Sequence, residues 1–122
     1  MCLLPSLETG IRMLRQGKLV IISDDMDPNN PTGYFMGLAE KVAPHHVNLM
    51  IKTGKGLTYV GMPESRAKQL DLPLMVKEKS GVHRYDFTVS VDYKTTTTGI
   101  SAFERAATIR ALADPGNRPE DF

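Results

Sequence analysis

Apolar positions recur along this chain with two different periods. Ser6 stands before Leu7, Ile11 and Leu14, and Gly17 follows them. Spacings of three and four put those side chains on one face, so residues 6–16 predict an amphipathic helix capped by Ser6 and stopped near Gly17. KLVIIS comes next, and its unbroken apolar run predicts a strand buried on both faces. YFMGLAEK is a further apolar segment, after which Val47, Met50 and Ile51 share a helix face that Gly54 and Gly56 end. LTYVGM, residues 57–62, predicts a short strand. PESRAKQL predicts a helix with Pro63 at its first helical position, and Pro73 interrupts LDLPLMV. The plainest period of two is in YDFTVSVDY: Phe87, Val89 and Val91 alternate with Asp86, Thr88, Ser90 and Asp92, as in a half-buried strand. A last helix is predicted from Ser101, which stands in capping-box register with Glu104, and Phe103, Ala106, Ala107 and Ile109 mark its buried side. PGNRPEDF reads as a polar tail.

Strands and helices that mix without strict alternation predict an α+β or mixed α/β fold, a mixed sheet flanked by helices, in one domain over residues 1–122. A chain of 122 residues suits one core. Hydrophobic residues at 41% and charged residues at 24% exclude a disordered or collagen-like polymer. Fifteen basic and 14 acidic side chains leave a formal charge of +1. That balance supplies no electrostatic surplus for nucleic acid or an anionic membrane, and neither is expected as a partner. Cys2 is the single cysteine and has no intrachain disulfide partner. No apolar run approaches the roughly 18 residues that span a bilayer, and MCLLPSLETG lacks a basic leader segment, so a cytoplasmic protein is expected.

Three places carry candidate chemistry. In DDMDPNNP, an extended backbone turns Asp25 and Asp27 to one face and Asp24 to the other, so two carboxylates can approach one magnesium ion. Asp and Asn also bond to their own backbone in turns, and Pro28 and Pro31 fix local angles; the residues alone favour the turn. TTTTGIS lies between a predicted strand and a predicted helix. Thr97, Thr98 and Ser101 with the helix N-terminus suit a phosphate, and equally suit an exposed loop with Ser101 as cap. His45 and His46 are about 100° apart on a helix and do not converge on one metal, and His83 reads as a surface residue. TGKG lacks the length and ending of a nucleotide P-loop.

Over nearly its whole length the chain resembles the 3,4-dihydroxy-2-butanone 4-phosphate synthases of riboflavin biosynthesis. LVIISDD, AEKVAPHHVNLMIKTGKGL, AKQLDLPLMV, DFTVSVD, TTTGIS and ERAATIRALADPGNRPEDF each look like a family segment, in the same order. The resemblance implies an activity, the magnesium-dependent conversion of ribulose 5-phosphate to a butanone phosphate and formate, and homodimers with sites at the subunit interface. It matches Asp24, Asp25 and Asp27 to the family's acidic loop. It also sets Pro28 at the family's arginine, Asn29 at its metal-binding glutamate, Pro31 at its second glutamate and Tyr34 at its final aspartate. Family members continue past a segment like RPEDF into two Gly-His stretches that carry a metal histidine and phosphate contacts. The expectation is therefore a short member with a degenerate acidic loop. Asp24, Asp25 and Asp27 are its candidate catalytic residues and Thr97, Thr98 and Ser101 its phosphate contacts, with no complete metal set. It would act as a phosphosugar-binding homodimer or as a partner of a full-length synthase. The alternatives are an active lyase, on the family substrate or another phosphosugar, and a piece of a longer synthase.

Overall fold

The computed structural model describes residues 6–24, 29, 32–76 and 86–122. Helix α1 spans Leu7–Arg15, and the Ser6 hydroxyl accepts from the Thr9 amide at 3.3 Å, as the sequence predicts. Gly17 follows in the left-handed region with φ of 77°. Strands β1 (Val20–Asp24) and β2 (Thr32–Met36) form an antiparallel ribbon, with Val20 opposite Met36, Ile22 opposite Tyr34 and Asp24 opposite Thr32. The expected burial of β1 on both faces does not occur. Ile21 is 67% exposed, because a two-stranded ribbon has no second layer of its own to cover it.

Beyond the ribbon a single 3₁₀ turn, Ala39–Lys41, leads into α2 (Pro44–Leu49), which runs on into a π-helical turn, Met50–Gly54. Val47 is fully buried, whereas Ile51 stays on the surface. The left-handed stop falls on Lys55, between the two glycines that the sequence offered for it. Helix α3 is Glu64–Gln69, and Pro63 occupies its cap position rather than its first helical one. Helix α4, Ala102–Ala113, is the longest described element and organises the rest.

Two apolar clusters lie along α4. Val42, Val47 and Ala106 form one, with Ala102 and Ile109 against it. Leu70, Leu72 and Leu112 form the other, joined by Val60, Met62, Ala67, Val91 and Phe122. Burying a leucine such as Leu70 contributes about 1.5–3 kcal/mol. Facing two clusters turns Phe103 outward, 74% exposed, against the expectation that it lies on the buried side. Nor is the end of the chain a loose polar tail. Asn117 donates to the Ala111 carbonyl at 2.9 Å, Pro119–Asp121 form a 3₁₀ turn, and the Phe122 ring meets Tyr93 at 6.0 Å.

Neither of the two later predicted strands is a strand. Residues 57–62 carry no regular element, and 86–92 contribute one isolated antiparallel bridge, Leu74 with Thr88. Residue 85 and His83 lie outside the described residues. The physical reason is the shortage of ladder partners: alternation specifies a buried face, but only a neighbouring strand closes the hydrogen bonds. The protein is an α+β fold with a small antiparallel sheet.

Candidate functional site

The loop before α4 is held at its base by buried chemistry. The Tyr93 amide donates to the hydroxyl of the buried Thr108 at 3.1 Å, and the Lys94 amide donates to the Asp121 carbonyl at 2.8 Å. A turn follows, with the Thr96 amide on the Tyr93 carbonyl at 2.8 Å. Gly99 is left-handed, φ 67°, and the Asp92 carboxylate lies where a Cβ would stand. The positive φ favours glycine there, and an added Cβ would require the Asp92 side chain to move aside.

The chain brings Thr97, Thr98 and Ser101 together, as expected, and adds Glu104 from the first turn of α4. Glu104 Oε1 accepts from the Thr97 amide at 2.7 Å, the Thr97 hydroxyl at 2.8 Å and the Thr98 amide at 3.4 Å. Its Oε2 accepts from the Thr98 hydroxyl at 2.9 Å and the Ser101 hydroxyl at 3.2 Å. The Glu104 amide in turn donates to the Ser101 oxygen at 3.1 Å, which is the ordinary cap. Half of the expected capping box is therefore present. The carboxylate reaches the threonine loop instead of returning to the Ser101 amide.

Five donors on one carboxylate hold Glu104 well below the usual range, at about 2, chiefly through the amide and hydroxyl of Thr97 and then the hydroxyl of Thr98. The loop is thus complementary to an anion, and the protein's own carboxylate is the anion it holds. Glu104 was legible only as a capping residue, because reach from the first turn of a helix back into the preceding loop is a tertiary property.

The acidic hairpin is only partly within the described residues. Asp24 is the last residue of β1, and Asn29 is exposed in a turn; Asp25, Asp27, Pro28 and Pro31 lie outside them. Among the described residues no group of three or more His, Cys, Asp or Glu side chains could hold a metal ion. The His45 and His46 rings meet at a tilt of 57° with centroids 4.0 Å apart, and His46 Nδ1 accepts from the Ala43 amide at 3.2 Å. Burial and then the neighbouring His45 push the His46 pKa down, which keeps that nitrogen free to accept. This pair serves the start of α2.

The fold and the hydroxyl-rich loop define an α+β protein with an anion-complementary turn at a helix start. Residues 8–122 match the family of 3,4-dihydroxy-2-butanone 4-phosphate synthase, and the chain belongs to that family. It is 47% identical over 119 residues to the 3,4-dihydroxy-2-butanone 4-phosphate synthase of Oceanobacillus iheyensis, spanning 98% of this chain and 57% of that one. It is 45% identical over 116 residues to the riboflavin biosynthesis protein RibBA of Bacillus cytotoxicus, spanning 95% of this chain and 29% of that one. Among solved structures, a synthase in complex with two magnesium ions superposes with a TM-score of 0.89 at 32% identity. That match covers 98% of this chain and 56% of the other. The chain therefore spans little more than half the length of the synthase relatives it matches, and less of the RibBA protein.

Proposed function

We propose that these 122 residues form a cytoplasmic, phosphosugar-binding member of the synthase family that does not by itself turn over ribulose 5-phosphate. The observation that carries the binding half is the convergence of Thr97, Thr98 and Ser101 donors on a single carboxylate. A phosphate group offers the same kind of oxygen with more charge. It must displace Glu104, so binding is weak.

The catalytic half of the proposal is supported by chemistry at the hairpin. In the family pattern an arginine, two glutamates and an aspartate stand where this chain has Pro28, Asn29, Pro31 and Tyr34. Proline offers no side-chain ligand, and asparagine one neutral oxygen. An ion held by Asp24 and its acidic neighbours would be loosely bound and largely solvated. Such an ion is poorly placed to offset charge on an enediol while acid and base groups move protons.

Two measurements on the purified chain test this. Formate release from ribulose 5-phosphate with excess magnesium is expected to stay far below a typical enzyme rate of about 1 per second. Titration with inorganic phosphate is expected to move backbone amide signals within residues 96–102. Turnover near the enzyme rate would establish the alternative, an active lyase. Shifts elsewhere but not in 96–102 would remove the phosphate cradle.

A further inference from the structure

Residues 92–110, which hold the hydroxyl-rich loop and most of α4, carry three cations: Lys94, Arg105 and Arg110. Lys94 is ion-paired with Asp121, and Arg110 donates to the Val42 carbonyl at 2.8 Å. The Arg105 guanidinium has no hydrogen bond, ion pair or ring contact among the described residues. Its surroundings make that unusual. Of the described arginines only Arg66 and Arg105 are half-buried, and Arg66 sets its donors on four acceptors, the Leu112, Asp114 and Asn117 carbonyls and Gln69 Oε1. A guanidinium carries five N–H donors, and withdrawing it from water without acceptors is costly. Every Arg105 nitrogen still reaches solvent, so those donors are hydrated and open to a ligand.

Helix geometry sets this cation beside the loop. The Arg105 amide donates to the Ser101 carbonyl at 2.9 Å, in the first turn of α4. At about 100° per residue, Glu104 and Arg105 flank Ser101, roughly 60° to one side and roughly 40° to the other. Helical side chains lean towards the N-terminus, so both reach back over the turn that Ser101 caps. Glu104 does so in its bonds to Thr97, Thr98 and Ser101. The charge of the loop then decides what can enter it. Glu104 brings one negative charge, and Asp92, which has no hydrogen bond among the described residues, brings another against Gly99. Hydroxyls and amides are good donors without net charge, so an oxyanion arriving between two carboxylates needs a cation. The first turn of α4 supplies one, with a planar fork that matches two phosphate oxygens.

We propose that Arg105 is the residue that lets this loop take a phosphate group: its guanidinium holds two phosphate oxygens while Thr97, Thr98 and Ser101, given up by Glu104, donate to the others. This rests on the phosphosugar-binding reading and names its anchoring residue. The probe is inorganic phosphate at neutral pH, titrated against the amide signals of residues 96–102 and the Arg105 side-chain Nε–H signal of the 122-residue chain. Both sets are expected to move along one binding curve. Arg105→Gln keeps a polar side chain without the charge and is expected to weaken binding at least about tenfold. Arg105→Lys keeps the charge without the fork and is expected to weaken it about threefold. Arg12→Gln, at an exposed arginine of α1, is expected to bind as wild type does. Urea unfolding shows whether a variant has lost its fold. If Arg105→Gln has, the wild-type Nε–H signal decides: movement together with 96–102 supports the proposal, and a static signal overturns it. Shifts at 96–102 with unchanged affinity in folded Arg105→Gln overturn the role of Arg105 and leave phosphate binding standing. An Nε–H shift without shifts at 96–102 overturns both, because the guanidinium then holds phosphate away from the loop, and silence at both places does the same.

Discussion

Glu104 carries the largest electrostatic consequence of any described side chain. An unfolded glutamate titrates near 4.5, and in the fold this one is held at about 2. Its folded value is the lower, so the stabilisation is complete above pH 4.5 and is lost as pH falls from there towards 2. Glu104→Gln is therefore expected to be less stable than wild type at pH 6 and to approach it near pH 2, which acid-dependent urea unfolding of the two proteins would measure. A stability difference that did not narrow over that interval would refute the assignment. The same substitution removes a like charge from beside any bound phosphate. A unit charge at about 4 Å is worth about 1 kcal/mol in water, so phosphate should bind Glu104→Gln roughly fivefold more tightly than wild type. Weaker binding would show that the carboxylate shapes the loop more than it blocks it.

At the scale of elements, α4 depends on two arginines that reach it or reach from it. Arg66 of α3 donates from Nε to the Leu112 carbonyl at 3.2 Å, from Nη2 to the Asp114 carbonyl at 2.5 Å and from Nη1 to the Asn117 carbonyl at 3.4 Å. Those carbonyls lie at and beyond the C-terminus of α4, where no intrahelical donor exists and a cation opposes the negative end of the helix dipole. Gln69 holds the same guanidinium with an acceptor at 2.9 Å. Arg110 donates in the other direction, from α4 to the Val42 carbonyl at 2.8 Å, and ties the helix to the segment before α2. Arg66→Ala is expected to lower the unfolding free energy by about 2 kcal/mol, since hydrogen bonds from a charged group are worth about 1.5–3 kcal/mol. Arg66→Lys should recover less than half of that, because one ammonium cannot fork to three carbonyls. Equal stability of Arg66→Ala and wild type in urea unfolding would show that these bonds are replaced by water without loss.

At the scale of the whole molecule, the β1–β2 ribbon leaves apolar side chains uncovered. Ile21, Ile22, Tyr34 and Met36 are 67%, 41%, 37% and 44% exposed. Apolar surface of that kind, on strands whose outer edges have no further neighbour in the described sheet, calls for a partner surface. A homodimer through the ribbon is the expected outcome, to be read by sedimentation at micromolar concentration. A stable monomer there would leave the ribbon without an explanation. A charge such as Ile21→Lys should shift the equilibrium towards monomer, since it would be desolvated in the interface. Among the described residues no helix is long and apolar enough to cross a membrane, so the exposed apolar surface is not a transmembrane helix.

Much of the local structure could be read from residue types and spacing. Ser6 and Ser101 cap helices because a side-chain oxygen next to a free amide needs no distant partner. Gly17 ends α1 and Gly99 turns the loop because backbone conformation is a property of the residue itself. The gathering of Thr97, Thr98 and Ser101 was legible for the same reason: they lie within five positions of one another. What the chain could not state locally was decided by who lies across the fold. Phe87, Val89 and Val91 alternate as a strand must, yet alternation encodes only an inner and an outer face, and the ladder that would make 86–91 a strand needs a neighbour. β1 reads as buried because its side chains are apolar, but a run of apolar residues does not supply the second layer that buries it. Phe103 turned outward because α4 faces two clusters whose members come from residues 42–122. PGNRPEDF looked like a tail because its docking through Asn117, Asp121 and Phe122 answers to Ala111, Lys94 and Tyr93 rather than to its own composition. Glu104 joins both lists: its place in the capping register is in the sequence, and its hold on Thr97 and Thr98 exists only because Thr108 and Asp121 pin the loop within its reach.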